Sequence, residues 1–364
     1  MKEALPSNKL GEIIKQAVQK GKKVHFLPPY QPETKLKLTS LLDFDSEKIK
    51  DTASVELIKA VIEQRSIKIK EEIDEMERAH SATHDMHTTA MRMAKPGLLE
   101  REIAGRIEGI ALAAGGNIAF PVILTVNGQI LHNHYHGNIL KEGHLLVNDS
   151  GAESELHYAS DITRTIPVGG KFTQKQKEVY EIVLRTQESS IQSIRPDIKY
   201  KDIHLKAAKI IAYGLKDLGL MKGDVDEAVK KGAHALFFPH GLGHMIGLDV
   251  HDMENLGEDY VGYDEKTKRN DQFGIAYLRL AKELQPGHVL TVEPGIYFIP
   301  ALIDKWKAEK KHTEFINYTK LKDYRDFGGI RIEDNVLVIE DGHKILGKSI
   351  PKKVDDLEEI IGTE

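Results

Sequence analysis

The stretch 237–252, FFPHGLGHMIGLDVHD, decides how the rest of the chain is read. His240 and His244 stand four apart, which on a helix would put two imidazoles on one face as a zinc pair. Gly241, Gly243 and Gly247 argue against a helix, because each costs about 1 kcal/mol relative to alanine there. In an extended strand, His240, Leu242, His244 and Ile246 share one face. The glycines then free the other face for close approach of a neighbouring backbone. His251 follows seven residues after His244. The stretch therefore predicts a strand that carries imidazoles inward.

Working outward from it, four acids sit in or at the ends of apolar, strand-like runs. Asp149 closes HLLVND ahead of Gly151, and Asp161 follows twelve residues later in SDITRT, so a hairpin would bring both carboxylates to one spot. Glu293 closes HVLTVE before Pro294, which keeps it extended. Glu333 lies in IRIEDNVLV on the same strand face as Arg331. Turn aspartates, a surface salt-bridge stripe and a satisfied core histidine would each explain one of these residues alone. Together, Asp149, Asp161, His244, Glu293 and Glu333 make a hard, oxygen-rich set, too negative to gather in a core unless cations neutralise it. The set predicts a pair of divalent ions and metal-assisted hydrolysis. His80, His84 and His87 also share a helix face, but Glu75, Glu77, Arg78 and Asp85 around them predict a solvated face.

Along the chain, residues 9–27 read as an amphipathic helix running into a short strand, and 28–35 as proline-rich and irregular. Residues 55–93 are helical by their three- and four-residue apolar steps, stopped by Lys95-Pro96-Gly97. A second helix ends at Gly115-Gly116, and strands are predicted at 122–126, 130–136, 144–149 and 158–166. The helical pattern then recurs from 174. KPGLLEREI at 95 is echoed by RPDIKYKDI at 195, an offset of one hundred residues. The echo suggests two αβ halves around a shared sheet, with Asp149 and Asp161 in one and the remaining ligands in the other.

The chain has 364 residues, 40% hydrophobic and 29% charged, with net charge −5, a balance that gives no electrostatic reason to bind nucleic acid. No run is apolar enough for a membrane span, and the N-terminus lacks a signal-peptide core. Cysteine is absent, which excludes thiolate metal sites and makes the cytoplasm the expected compartment.

From about Ser66 to Pro351, these motifs resemble the pita-bread metallopeptidases, particularly the proline-specific Xaa-Pro aminopeptidases and Xaa-Pro dipeptidases (prolidases). The resemblance implies an α+β pita-bread fold: pseudo-twofold αβ halves around a curved antiparallel sheet, with residues 66–364 as the catalytic domain. Residues 1–65 would be a remnant or truncated N-terminal domain plus a linker helix. Carried over, Asp149 serves one ion, Asp161 and Glu333 bridge both, and His244 and Glu293 serve the other. His134 in HYHGN matches a substrate-contacting histidine, His251 one that steadies the tetrahedral intermediate, and Arg331 an arginine beside the centre. Glu293 also manages the proton, and His240 belongs to the outer shell. The implied activity is release of the first residue from small peptides with proline second. Dipeptide cleavage is the alternative, and a catalytically inactive binding module a third reading. Manganese suits the oxygen-dominated set, and cobalt, iron or zinc fit it too. The family also implies a homodimer. One departure is local: the Asp149–Asp161 gap is one residue longer than usual, so the turn or a bulge must absorb a residue to keep both acids inward.

Overall fold

A computed structural model describes residues 4–43 and 45–363. In chain order the helices are α1 (Leu10–Gln19), α2 (Pro32–Leu42), α3 (Val55–Ser66), α4 (Lys70–Met93) and α5 (Glu100–Ala113), followed by strands β1 (Ile123–Thr125), β2 (Leu145–Ser150) and β3 (Ile162–Pro167). Then come α6 (Gln174–Ile191), α7 (Tyr200–Asp217), α8 (Val225–Lys230) and α9 (Glu258–Val261). Strands β4 (Val289–Val292) and β5 (Gly295–Tyr297), helix α10 (Pro300–Ala308), strands β6 (Gly329–Arg331), β7 (Asp334–Ile339) and β8 (Gly342–Ile345), and α11 (Val354–Ile360) complete the order.

The chain divides into two compact units, Met1–Arg65 with Met253–Val261, and Ser66–Asp252 with Gly262–Glu364. In the first, α1 stops at Gly21, whose φ of 73° provides the left-handed turn beyond a helix end. The proline-rich 28–35 segment is not irregular throughout, because Pro32 takes the first position of α2, where its missing N–H costs nothing. The strand expected at 23–27 does not form among the described residues.

In the second unit, β1, β2 and β3 form one antiparallel sheet, β4, β7 and β8 another, and β5 pairs with β6. A bridge from Thr163 to Glu333 joins the two halves. The echo between 95 and 195 is repeated in the hydrogen bonds. Gly97 N donates to Leu140 O, Leu140 N to Leu98 O, and Glu100 N to Asn138 O. One hundred residues on, Asp197 N donates to Leu284 O, Leu284 N to Ile198 O, and Tyr200 N to Lys282 O. Gly97 and Asp197 both turn with positive φ, 97° and 65°. Each helix pair is thus clasped to its own half in the same way.

Three sequence expectations are corrected here. The helix predicted over 55–93 breaks between α3 and α4, where Lys68 N bonds Gly287 O and Glu72 accepts from Ile69 N to start the new helix. Residues 130–136 form no strand, because Asn133 bonds locally, donating to Thr125 Oγ1 and accepting from Tyr135 N. The histidine face of α4 is not solvated: His80 is 3% and His87 0% exposed. Met76, on the same helix, joins the buried cluster of Ala159, Ile246, Val289 and Leu346 beneath both halves. Burial of that apolar stripe overrides the charged residues flanking it.

Arg164 fastens β3 to its surroundings. Its guanidinium donates to Asp334 Oδ1 at 2.7 Å, Glu333 O, Thr163 O, Ile350 O and Pro351 O. Asp334 Oδ2 in turn accepts from Gln187 and Lys352. Burial would raise the Asp334 carboxyl, but Arg164 and Lys352 hold it well below its usual range. Asp334→Ala strands a buried guanidinium, so a loss of about 3–5 kcal/mol in urea unfolding is expected. A loss below about 1 kcal/mol would show that the network re-pairs.

Candidate metal centre

The GLGHMI stretch is extended, as its glycines required. Thr291 N donates to His244 O, Glu293 N to Leu242 O, and Ile246 N to Val289 O, so the stretch runs antiparallel to β4. A Cβ on Gly243 would lie 2.1 Å from Thr291 O, an approach only glycine allows. Tyr200 of α7 pins both strands, donating to Thr291 O at 2.6 Å and Leu242 O at 3.3 Å.

On the other half, Ser150 pairs with Ile162 and Glu153 with Ala159. The pairing stays in phase, so no bulge forms and the turn at 154–158 absorbs the extra residue. There His157 takes φ 65° and Ser154 N donates to Tyr158 O. Asp149 faces Thr163 across the ladder, and Asp161, two residues from Thr163, shares its face.

Asp161, His244 and Glu333, all buried, place ligand atoms within 4.8 Å of one another. His244 Nε2 lies 3.4 Å from Asp161 Oδ2 and 3.8 Å from Glu293 Oε1. Its Nδ1 donates to Met245 O at 3.0 Å, which leaves the Nε2 lone pair facing the acids. His251 stacks edge-on against it, ring centroids 4.3 Å apart. Asp149 Oδ1, Asp161 Oδ1 and Glu333 Oε1 are buried without a hydrogen-bond partner. Three orphaned carboxylate oxygens beside a neutral imidazole fit a hard divalent cation, and buried polar atoms without such a partner are costly.

Electrostatics agree. Burial pushes the Asp149 and Asp161 carboxyls up to about 6, against the lowering pull of Arg331 on both. Burial lifts Glu293 to about 8, Arg331 opposing and Asp161 and Asp149 adding to the rise. Glu333 stands well above its usual range, from burial and then from the charges of Asp161, Glu293 and Asp149.

Around the acids runs a donor chain. Arg331 bonds Asp149, Thr163 Oγ1 at 3.1 Å and Tyr297 Oη at 2.9 Å. Tyr297 Oη donates to His240 Nε2 at 2.9 Å, whose Nδ1 donates to Gly241 O. Thr163 Oγ1 donates to Glu333 Oε2 at 2.7 Å. His240 Nδ1 lies 3.8 Å from Glu293 Oε2, so His240 borders the acids from outside. Tyr297 was missed by the sequence reading, though it stands at the end of the TVEPGIY run that holds Glu293.

His134 is exposed, its Nδ1 3.5 Å from Val122 O. His132, two residues earlier, also exposed and not singled out from sequence, feels the charges of the centre. Burial and Arg331 lower its pKa, while Asp149 raises it. The apolar pair Ile130-Leu131 just before it was the available signal.

The chain belongs to Metallopeptidase family M24, whose sequence profile matches residues 74–340, and so takes the pita-bread fold. It is 36% identical over 340 residues to a probable Xaa-Pro aminopeptidase of Sordaria macrospora, covering 92% of this chain and 68% of that protein. It is 35% identical over 306 residues to the human Xaa-Pro dipeptidase, covering 82% of this chain but only 60% of that one. Among solved structures, Pseudomonas aeruginosa aminopeptidase PepP superposes with a TM-score of 0.77 at 29% identity, over 98% of this chain and 75% of that one. An Escherichia coli aminopeptidase P variant in complex with substrate does so at 0.77 and 32% identity, over 99% and 75%.

Proposed function

We propose that this chain is a dinuclear-metal-dependent exopeptidase that releases the first residue of peptides with proline second. The observation that carries the reading is the convergence of Asp161, His244 and Glu333, with Glu293 3.8 Å from His244 and with unpartnered buried oxygens on Asp149, Asp161 and Glu333. Asp149 would hold one ion, Asp161 and Glu333 would be shared, and His244 with Glu293 would hold the other. When bound, such ions polarise a scissile carbonyl and acidify water. Oxygen-dominated donors favour manganese, and the zinc-substituted E. coli aminopeptidase P at 32% identity is consistent with tolerance of other divalent ions.

The chain's own groups do the rest. Glu293, whose Oε1 lies 3.8 Å from His244 Nε2 at the edge of the acids, would take a proton from the attacking water and pass it on. Arg331 fixes the Asp149 carboxylate, and through Tyr297 it fixes His240. His251, against His244, is placed to steady the charge that develops on the carbonyl oxygen. His132, within reach of Arg331, Asp149 and His251, takes the substrate-facing position at first expected of His134.

Xaa-Pro dipeptide cleavage is the second reading, supported by the human dipeptidase at 35% identity. No helix of the described residues is long and apolar enough to cross a membrane, and the absence of cysteine supports a reducing compartment such as the cytoplasm. A homodimer is part of the same proposal. The test is to offer Xaa-Pro dipeptides and Xaa-Pro-Yaa tripeptides with manganese and with chelator. Chelator-sensitive cleavage of tripeptides is the expected result. Cleavage of dipeptides alone would transfer the assignment to prolidase, and no cleavage of either would support a binding module.

A further inference from the structure

His80, first read as part of a solvated helix face, is buried between two acceptors. Its Nδ1 lies 2.7 Å from Met76 O and its Nε2 2.8 Å from Asn335 Oδ1. Met76 O stands four residues earlier in α4, where the helical ladder already supplies a backbone donor. Asn335 Oδ1 is an acceptor, since it also receives Asp161 N–H, so the Nε2 that lies against it carries a proton and donates it, whatever the state of Nδ1 against Met76 O.

The orientation of Asn335 is fixed by what it holds. Its Nδ2 donates to Asp161 O at 2.7 Å, while its Oδ1 accepts from Asp161 N at 2.9 Å. One side-chain amide thus grips both backbone groups of a single residue, as a neighbouring strand would. This grip is needed because Asp161 lies just before β3, outside the run of residues paired with β2. The bed around His80 is shaped for it: a Cβ on Gly347 would fall 2.6 Å from His80 Cβ, and Gly347 takes φ 79° while donating to Glu77 Oε2.

We propose that His80 is a positioning residue that acts through Asn335, its Nε2–H orienting the amide that sets the backbone of Asp161 at the metal centre. The chain of contacts runs His80 to Asn335 to Asp161, and Asp161 in turn faces His244 and Glu333. Its effect on cation binding rests on the metal reading above, whereas its effect on the Asp161 backbone does not. Outer partners of metal ligands of this kind change affinity by roughly 10–100-fold when removed.

The experiment measures two quantities on His80→Leu, Asn335→Leu, the double variant and His80→Gln. The first is amide hydrogen exchange of Asp161 in the metal-free protein, and the second is manganese affinity by calorimetry. His80→Leu should speed Asp161 exchange by about tenfold or more and weaken manganese binding by roughly 10–100-fold. His80→Gln, which keeps a donor of similar reach, should recover most of both. The double variant should lose no more than Asn335→Leu alone, as residues in one chain of contacts do. Unchanged Asp161 exchange in His80→Leu, or losses that add in the double variant, would overturn the proposal. Faster exchange in a protein whose wild type binds no manganese would support the positioning role and sink the metal reading instead.

Discussion

Glu333→Gln is expected to have two opposite effects: loss of tight divalent-cation binding and turnover, and a higher melting temperature for the metal-free protein. The loss follows from the position of Glu333 against Asp161 and His244 and from its orphaned Oε1. Removing a direct ligand should exceed the roughly 100-fold that removing an outer partner costs. The gain follows from charge. Glu333 is 1% exposed, and its carboxyl is held far above its usual range by burial and by Asp161, Glu293 and Asp149, so its ionised form works against the fold. Glutamine keeps an oxygen for the Thr163 hydroxyl and removes the charge. A rise of about a few degrees is the scale that 1–2 kcal/mol gives in a chain of this size. Calorimetry with and without manganese checks both. Retained affinity would remove Glu333 from the ligand set, and a lower metal-free melting point would refute the repulsion account.

The metal-free protein should also become less stable as pH rises. Asp149 and Asp161 sit at about 6 and Glu293 at about 8 when folded. Unfolded Asp and Glu titrate at about 3.9 and 4.3. These acids therefore hold more protons when folded, but burial holds His87, His204, His240 and His288 at about 3 and His234 at about 4, which works the other way until pH passes their unfolded value of about 6.5. The net fall is thus expected from about pH 6.5 upward through the folded value of Glu293. Cations displace these protons, so manganese affinity should rise over the same window and flatten the stability curve. Asp334 has the opposite sign, held low by Arg164 and Lys352, and its contribution is lost only in stronger acid. Melting curves in chelator between about pH 6.5 and 8.5, above the range where the histidines titrate in the unfolded chain, provide the check. A flat or rising profile would mean that the acids are not the buried, mutually repelling group described above.

The candidate cluster of Asp161, His244 and Glu333 was legible in sequence because metal chemistry constrains residue type and strand alternation constrains facing. Asp149, Asp161, His244, Glu293 and Glu333 each stand in or beside an apolar run, and the glycines around His244 excluded a helix. The duplication was legible at 95 and 195, but only backbone pairing with 140 and 284 showed what the repeated residues do. What escaped was set by tertiary context. Local charge made α4 look solvated, yet His80 and His87 are buried by strands remote in sequence. Asn133 turned a strand-like run into a loop through bonds that no periodicity reveals. Tyr297 and His132 act through long-range contacts, so their residue type alone gave no warning.

Arg164 carries a consequence for the order in which the molecule is made. Arg164 stands three positions after the centre-facing Asp161, and its donors close on Ile350 O and Pro351 O as well as on the backbone oxygen of Glu333. A nascent chain whose residues 350–352 are still inside the ribosome cannot complete that clasp. The guanidinium would stay half-solvated and the two halves loosely joined until synthesis has passed them.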